Sequence, residues 1–230
     1  MHRLRIGTAE EAREALETLC RTYWQPLYCV ARQKRMTEAD AKDAVQSFFE
    51  TLLLRETFSQ ADEAAGKLRQ LLLKAFDNHC IQQWLKANRQ KRGGGAKHVE
   101  FTEFFHTDKA ERQYLRFYQN STTQEALYNR AWAVNVMERS LQALRSDHVE
   151  RGLQDRFQLL VGPLLQNSDE AGLGQIATCA GTSTGALRVA LHRMRREYRN
   201  LIEREIAATL DSDDPKLIRE ELAELFKAFE

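Results

Sequence analysis

Proline is scarce in this chain: three residues in 230, beside eleven glycines. So few breakers exclude a collagen-like or Pro-rich chain and argue against a fold made mostly of loops. Cysteine is also sparse. Cys20, Cys29, Cys80 and Cys179 lie far apart, no C-x-x-C pair exists, and His79 beside Cys80 is the only close Cys/His neighbour. That is no zinc-ligand pattern, so we expect no metal and no cofactor, and we read the thiols as buried groups in a reducing cytosol. No apolar run approaches the roughly 20 residues a membrane helix needs. The first residues carry charge too early for a signal peptide. A cytoplasmic protein without membrane insertion is expected.

An excess of one charge is missing too. The net charge is +1, with 43% hydrophobic and 29% charged residues, which fits a soluble globular protein and not wholesale disorder. The length leaves room for one large domain or two small ones. Ala, Leu, Arg, Glu and Gln, all good helix formers, fill the long stretches between breakers, so the expected fold is all-α.

The charges are segregated. Lys86, Arg89, Lys91, Arg92 and Lys97 follow Trp84 without an acid among them. From Arg188 to Arg204, six arginines face only Glu197 and Glu203. Beyond Leu210 come Asp211, Asp213, Asp214, Glu220, Glu221, Glu224 and Glu230. Separate partners for separate faces are the natural reading.

Apolar periodicity predicts a helix over about 8–32, then one over about 37–53 capped by Thr37, then a third over about 67–91. The third has Leu68, Leu71, Leu72, Ala75, Phe76, Cys80, Trp84 and Leu85 as its apolar stripe. Arg92-Gly93-Gly94-Gly95 stops it. The expected organisation is a first helical domain over 1–95, a polar connector with short helices over 96–123, a second helical domain over 124–206 and an acidic amphipathic tail over 207–230. The tail repeats Leu217, Ile218, Leu222, Leu225 and Phe229 at helical spacing. It could dock on either domain or contact a regulator; packing on its own domain is the plainer reading.

The clearest local signal is GLGQIATCAGTSTGALRVALHRMRREYRNLI. A short helix over about 175–180 offers Ile176 and the small Ala177 to a core. Gly181 supplies the positive φ of a tight interhelical turn, and Ser183 can cap the next helix. Leu187, Leu191, Met194, Tyr198 and Leu201 form a core stripe on that helix, while Arg188, His192, Arg195 and Arg199 share another side with Arg193 and Arg196 beside them. A major groove admits one such helix, its early side chains meeting base edges and its later arginines meeting phosphates. An isolated Arg-rich helix reads first as a solvated face; the preceding helix, Gly181 and Ser183 favour DNA.

Two further segments narrow the reading: TEADAKDAVQSFFETLL, with Asp40, Asp43 and Gln46 at helical spacing, and GKLRQLLLKAFDNHCIQQWLKANRQKRGGG, with Asn78, Gln82, Gln83 and Trp84 ahead of the basic cluster. With the helix-turn-helix and Tyr23-Trp24-Gln25-Pro26-Leu27-Tyr28, they place D-x-x-Q-x-F-F, N-x-x-x-x-x-W, Q-K-R-G-G-G and L-R-V-A-L-H-R-x-R-R-x-Y in one order along nearly the whole chain. In this the sequence resembles the extracytoplasmic-function sigma factors of the sigma-70 family, most closely their planctomycete-type group.

The resemblance implies two partners, core RNA polymerase (at its largest-subunit clamp and its flap) and promoter DNA. Asp40, Asp43, Gln46 and Phe49 would dock on the clamp. Asn78, Gln82, Gln83 and Trp84 would meet the melted minus-ten strand, with Lys86, Arg89, Lys91 and Arg92 on its backbone. Arg188, Val189, His192 and Arg193 would read the minus-thirty-five duplex, with Ser183, Thr184, Arg195 and Arg196 near phosphates. Plainer readings stand beside these. Asp40 and Asp43 could form a solvated face, Trp84 a core residue, Asn78 a local cap, and the basic run a set of helix-end charges. Val189 and Ala190 leave fewer base contacts than the wider family makes, and Asp77 sets a negative charge beside Asn78. A regulatory protein such as an anti-sigma factor is a third partner the tail could serve.

No P-loop, nucleophile elbow or H-E-x-x-H occurs, so an enzyme is not expected. The competing assignment is a stand-alone helix-turn-helix regulator. It accounts for Arg188 to Arg199 but leaves the D-x-x-Q-x-F-F helix without a purpose.

Overall fold

A computed structural model describes residues 9–54, 68–89, 107–118, 123–166, 170–210 and 214–230. These form nine α-helices and no strand: α1 (Ala9–Gln33), α2 (Glu38–Leu54), α3 (Leu68–Arg89), α4 (Thr107–Tyr118), α5 (Gln124–Glu150), α6 (Gln154–Leu165), α7 (Glu170–Cys179), α8 (Thr184–Leu210) and α9 (Pro215–Lys227). Among the described residues, no helix is long and apolar enough to cross a membrane, and no cluster of His, Cys, Asp and Glu could hold a metal ion. The fold is all-α, as the composition predicts.

The residues fall into two compact units. One draws on Met1–Asn135 and Ile206–Glu230, the other on Val136–Glu205. The expected boundaries at Gly95 and Gln124 are therefore not where this division falls. α5 and α8 run on through it without a break in their apolar periodicity, so nothing in local sequence marks the change of unit.

The first unit is built on α1. Its residues Thr22 to Ala31 are all buried, although Pro26 stands among them. Proline has no N–H, so the carbonyl of Thr22 loses its helical donor. Asn135 supplies one: its Nδ2 donates to the oxygen of Thr22 at 2.8 Å and to that of Arg21 at 3.0 Å. Asn135→Ala is expected to cost about 2 kcal/mol, because a buried carbonyl is left without a partner. Urea unfolding of the two proteins measures it; equal midpoints would mean that this carbonyl finds another donor.

α1 ends on Arg35, in the left-handed region at φ 65°. The Arg35 N–H reaches Arg32 O at 2.9 Å and the Met36 N–H reaches Ala31 O at 3.4 Å, which closes a Schellman turn. Thr37 then opens α2 as expected, its Oγ1 accepting from the Asp40 N–H at 3.1 Å. α4, from the stretch expected to be a connector, is built into this unit. Tyr114 and Phe117 share a buried cluster with Cys29, Leu127 and Ala131. Arg32 pairs with Glu111 at 2.8 Å, and this bond holds the Glu111 carboxyl below its ordinary range.

The acidic tail also belongs here. α9 starts at the Asp214 cap, whose carboxylate accepts from the Lys216 N–H at 2.8 Å. It buries Glu221, Leu222 and Leu225. Of the two domains the tail could dock on, it belongs with the first unit, where it is ion-paired to α3. Arg69, 3% exposed, lies 3.4 Å from Glu221 and 3.8 Å from Glu224. Its guanidinium stands 4.4 Å from the centre of the Trp132 ring, and its Nη1 donates to Asn129. Tyr128 donates its hydroxyl to the Arg69 carbonyl at 3.1 Å. Amphipathic spacing announces the helix but not its charged partner, because a lone arginine among apolar residues reads as an exposed one.

The second unit packs α6, α7 and parts of α5 and α8 around Leu144, Phe157, Leu160, Leu187, Leu191 and Met194, all buried. Tyr198 donates its hydroxyl to Met137 O at 2.9 Å, and Arg139 pairs with Glu205 at 2.8 Å. His148 closes α5 with Nδ1 at 2.9 Å from Leu144 O.

Three of the four cysteines are buried, as expected; Cys179 is exposed. Burial pushes the Cys20 thiol up to about 12 and the Cys80 thiol to about 11, which keeps both protonated and unreactive.

Candidate nucleic-acid interface

Two surfaces carry the residues singled out in the sequence, one in each unit. In the second unit, α7 ends in a Schellman turn. The Thr182 N–H reaches Ala177 O at 2.9 Å, the Gly181 N–H reaches Thr178 O at 3.2 Å, and Gly181 sits at φ 62°. A side chain at Gly181 would be strained in that conformation, which is why glycine suits the turn. Ser183 then caps α8, its Oγ accepting from the Ala186 N–H at 3.1 Å. Two turn residues therefore set the helix-turn-helix geometry, both legible in the sequence.

α8 separates its sides as the periodicity predicts. Leu187, Leu191, Met194 and Tyr198 are buried, and Arg188, Val189, His192, Arg193, Arg195 and Arg196 are exposed. Thr184 is half-buried and Ser183 exposed. Ile202 is buried where Leu201 was expected; Ala177 is buried as expected, and Leu173 joins it in place of Ile176, which is half-buried. Among the arginines, Arg199 is drawn to Glu203 at 3.0 Å and Arg195 lies 3.5 Å from the Pro163 carbonyl. Val189 is 53% exposed, an apolar side chain that solvent alone does not favour.

In the first unit, α3 presents the other surface. Asn78, Gln82 and Lys86 follow one another at i, i+4 and i+8, so they rise along one side, and all three are exposed. Gln83 is exposed as well. Every residue from Ile81 to Lys86 is exposed, so the last described turns carry no cover from the described residues. This overturns the reading of Trp84 and Leu85 as core: Trp84 is 66% exposed. Leu68, Leu72, Phe76 and Cys80 hold the stripe instead, and Leu71 joins the exposed side. Arg89 ends the helix. Lys91 and Arg92, with the three glycines, lie outside the described residues.

Asp77 does not confront the strand that Asn78 would meet. It is paired with Lys34 at 2.9 Å and accepts twice from Gln124 Nε2, at 3.0 and 2.9 Å. Its charge is balanced, and the carboxylate ties α3 to the end of α1 and the start of α5. A sequence neighbour on a helix points about 100° away, and that turn separates Asp77 from the outer side.

The four residues expected to dock on polymerase divide. Asp40 and Asp43 are exposed, whereas Gln46 is buried and Phe49 fully so. Gln46 donates to Glu50 at 3.1 Å, and Phe49 lies against Phe48 with ring centres 5.5 Å apart. The correction is geometric. Each three-residue step falls about 60° short of a full turn, so Phe49, three such steps from Asp40, lies on the opposite side. Phe49 and Gln46 anchor α2; they do not form its outer face. Asp40 has a local task as well, accepting from the Thr37 hydroxyl at 2.7 Å.

Comparison with family models, with curated proteins and with solved structures returned no match.

Proposed function

We propose that the chain is a promoter-specificity subunit of the extracytoplasmic-function sigma type. It acts by binding, not by catalysis. The second unit reads the minus-thirty-five duplex through Arg188, Val189, His192 and Arg193, with Ser183, Thr184, Arg195 and Arg196 toward phosphates. The first engages the melted minus-ten strand through Asn78, Gln82, Gln83, Trp84 and Lys86, and core polymerase through Asp40 and Asp43. The observation that carries the reading is the α7–α8 turn, in which Gly181 and Ser183 set a helix whose apolar side is buried and whose arginine side is exposed. The exposed α3 end, with an aromatic ring, three amides and a cation, supports the strand-binding half of it: aromatic faces stack on bases and cations hold phosphates.

The experiment is run-off transcription with core polymerase from the bacterium that encodes the chain, on a library of genomic promoters. We expect transcripts that require the added protein. Asp43→Arg, on an exposed site that leaves the fold intact, should reduce them at least tenfold, and Arg188→Ala should weaken or redirect them. No transcripts and no co-elution with core polymerase would sink the sigma reading. Duplex binding that survived alone would point to a stand-alone regulator.

A further inference from the structure

The seat of α9 is unusual for a core. Its charged wall is Arg69, buried against Trp132 at 4.4 Å and bonded to Asn129, and the occupant brings a buried carboxylate to meet it. Glu221 and Glu224 are spaced i, i+3 and converge on the one guanidinium at 3.4 and 3.8 Å. Leu222 and Leu225 are the apolar residues that α9 buries. An arginine fork recognises carboxylates by direction as well as charge. The seat therefore reads a pattern: acid, leucine, any residue, acid, leucine.

The hold on α9 is slight. The helix has 13 residues, a length that is marginal in isolation; it buries Glu221, Leu222 and Leu225, and Glu221 and Glu224 both pair with Arg69. Burial pushes the Glu221 carboxyl above its ordinary range and Arg69 draws it part of the way back, so desolvation works against the docked state. Only residues 211–213 separate α8 from the Asp214 cap. An α9 that left its seat would therefore stay close to it and compete with any partner helix.

We infer that this seat is a docking site for an acidic amphipathic helix, filled in cis by α9 and opened to a partner helix of the same chemistry when α9 lifts. The inference does not depend on the sigma reading. A partner would present two carboxylates one turn apart beside two leucines. It would compete with α9 for Arg69.

The test uses the full chain. Hydrogen exchange on the wild type should show α9 amides exchanging at least 100-fold faster than those around Leu72 and Tyr128. A labelled peptide of residues 214–230 is then titrated onto the wild type and onto the double variant Leu222→Asp, Leu225→Asp, which unseats α9. We expect the unseated chain to bind the peptide at least tenfold more tightly than wild type, and a peptide carrying Glu221→Lys not to bind. Amides of α9 that exchange in step with α3 and α5 would overturn the inference, for α9 would then be plain core. So would an unseated chain that loses its helical signal, or one that stays helical and ignores the peptide.

Discussion

Arg69→Ala is expected to lower the free energy of unfolding by about 3 kcal/mol, a large loss for a single charged residue. Three consequences add up. The stem of a 3% exposed side chain disappears from beneath Trp132 and leaves a cavity. Asn129 loses the donor that satisfied it. Glu221 is left as a buried carboxylate with no cation. Glu221→Ala should cost less, because its loss can be relieved by the lifting of α9 and is bounded by the free energy of that opening. Urea unfolding of the two variants checks the order. A loss below about 1 kcal/mol at Arg69, or a larger loss at Glu221 than at Arg69, would contradict the account.

That order also shows where the sequence stops being legible. The spans of the first three helices were readable because they follow from local spacing: α1, α2 and α3 each lie within two residues of expectation at both ends, whereas α7 starts at Glu170, five residues before the expected 175. Turn chemistry was readable for the same reason. Gly181 and Ser183 do their work within four residues of themselves, and the structure places both as expected. Arg69 is different. Its partners lie 60 and 152 positions away, at Asn129 and Glu221. Nothing near Arg69 says that a glutamate from the end of the chain will reach it. The Asn135 bond to the carbonyl that Pro26 orphans was closer to reach: Pro26 in a helical stretch announces a missing donor, though not which residue replaces it.

The candidate surfaces divide along the same line. On α8 the burial pattern follows the heptad-like spacing and needed only the helix. On α3 the stripe through Trp84 and Leu85 was sound as periodicity but has no neighbour among the described residues to cover it, and an apolar stripe is core only if something packs on it. On α2 the four residues expected to dock on polymerase were a motif of sequence, not of a surface. Gln46 and Phe49 hold the helix from within, while Asp40 and Asp43 remain outside. The side chains that could meet a partner are thus fewer than the motif suggests, and because Asp40 is bonded to the Thr37 hydroxyl, Asp43 is the sharper probe of polymerase binding.

The α8 arginines should separate by task when duplex binding is measured against salt. Arg188 stands in the second turn of the helix, one turn before His192, where a helix lying in a major groove brings side chains to base edges. Arg188→Ala should therefore lower affinity for the selected duplex by about 1–3 kcal/mol, roughly 5- to 150-fold, and leave binding to unrelated duplex almost unchanged. Arg196 lies two turns further on, where a helix docked in this way would pass the groove wall and its phosphates. Arg196→Ala should weaken every duplex alike and reduce the slope of log affinity against log salt by about 1, one phosphate contact being lost. Either variant should move the unfolding midpoint little, since both side chains are exposed and surface pairs contribute about 0–1 kcal/mol. The contrast is what carries the argument. If both variants lower all duplexes equally and both change the salt slope, α8 holds DNA by charge alone and the sequence-reading role of Arg188 falls. If neither changes binding, the basic side of α8 is a solvated face and the reading of the second unit as a duplex reader fails with it.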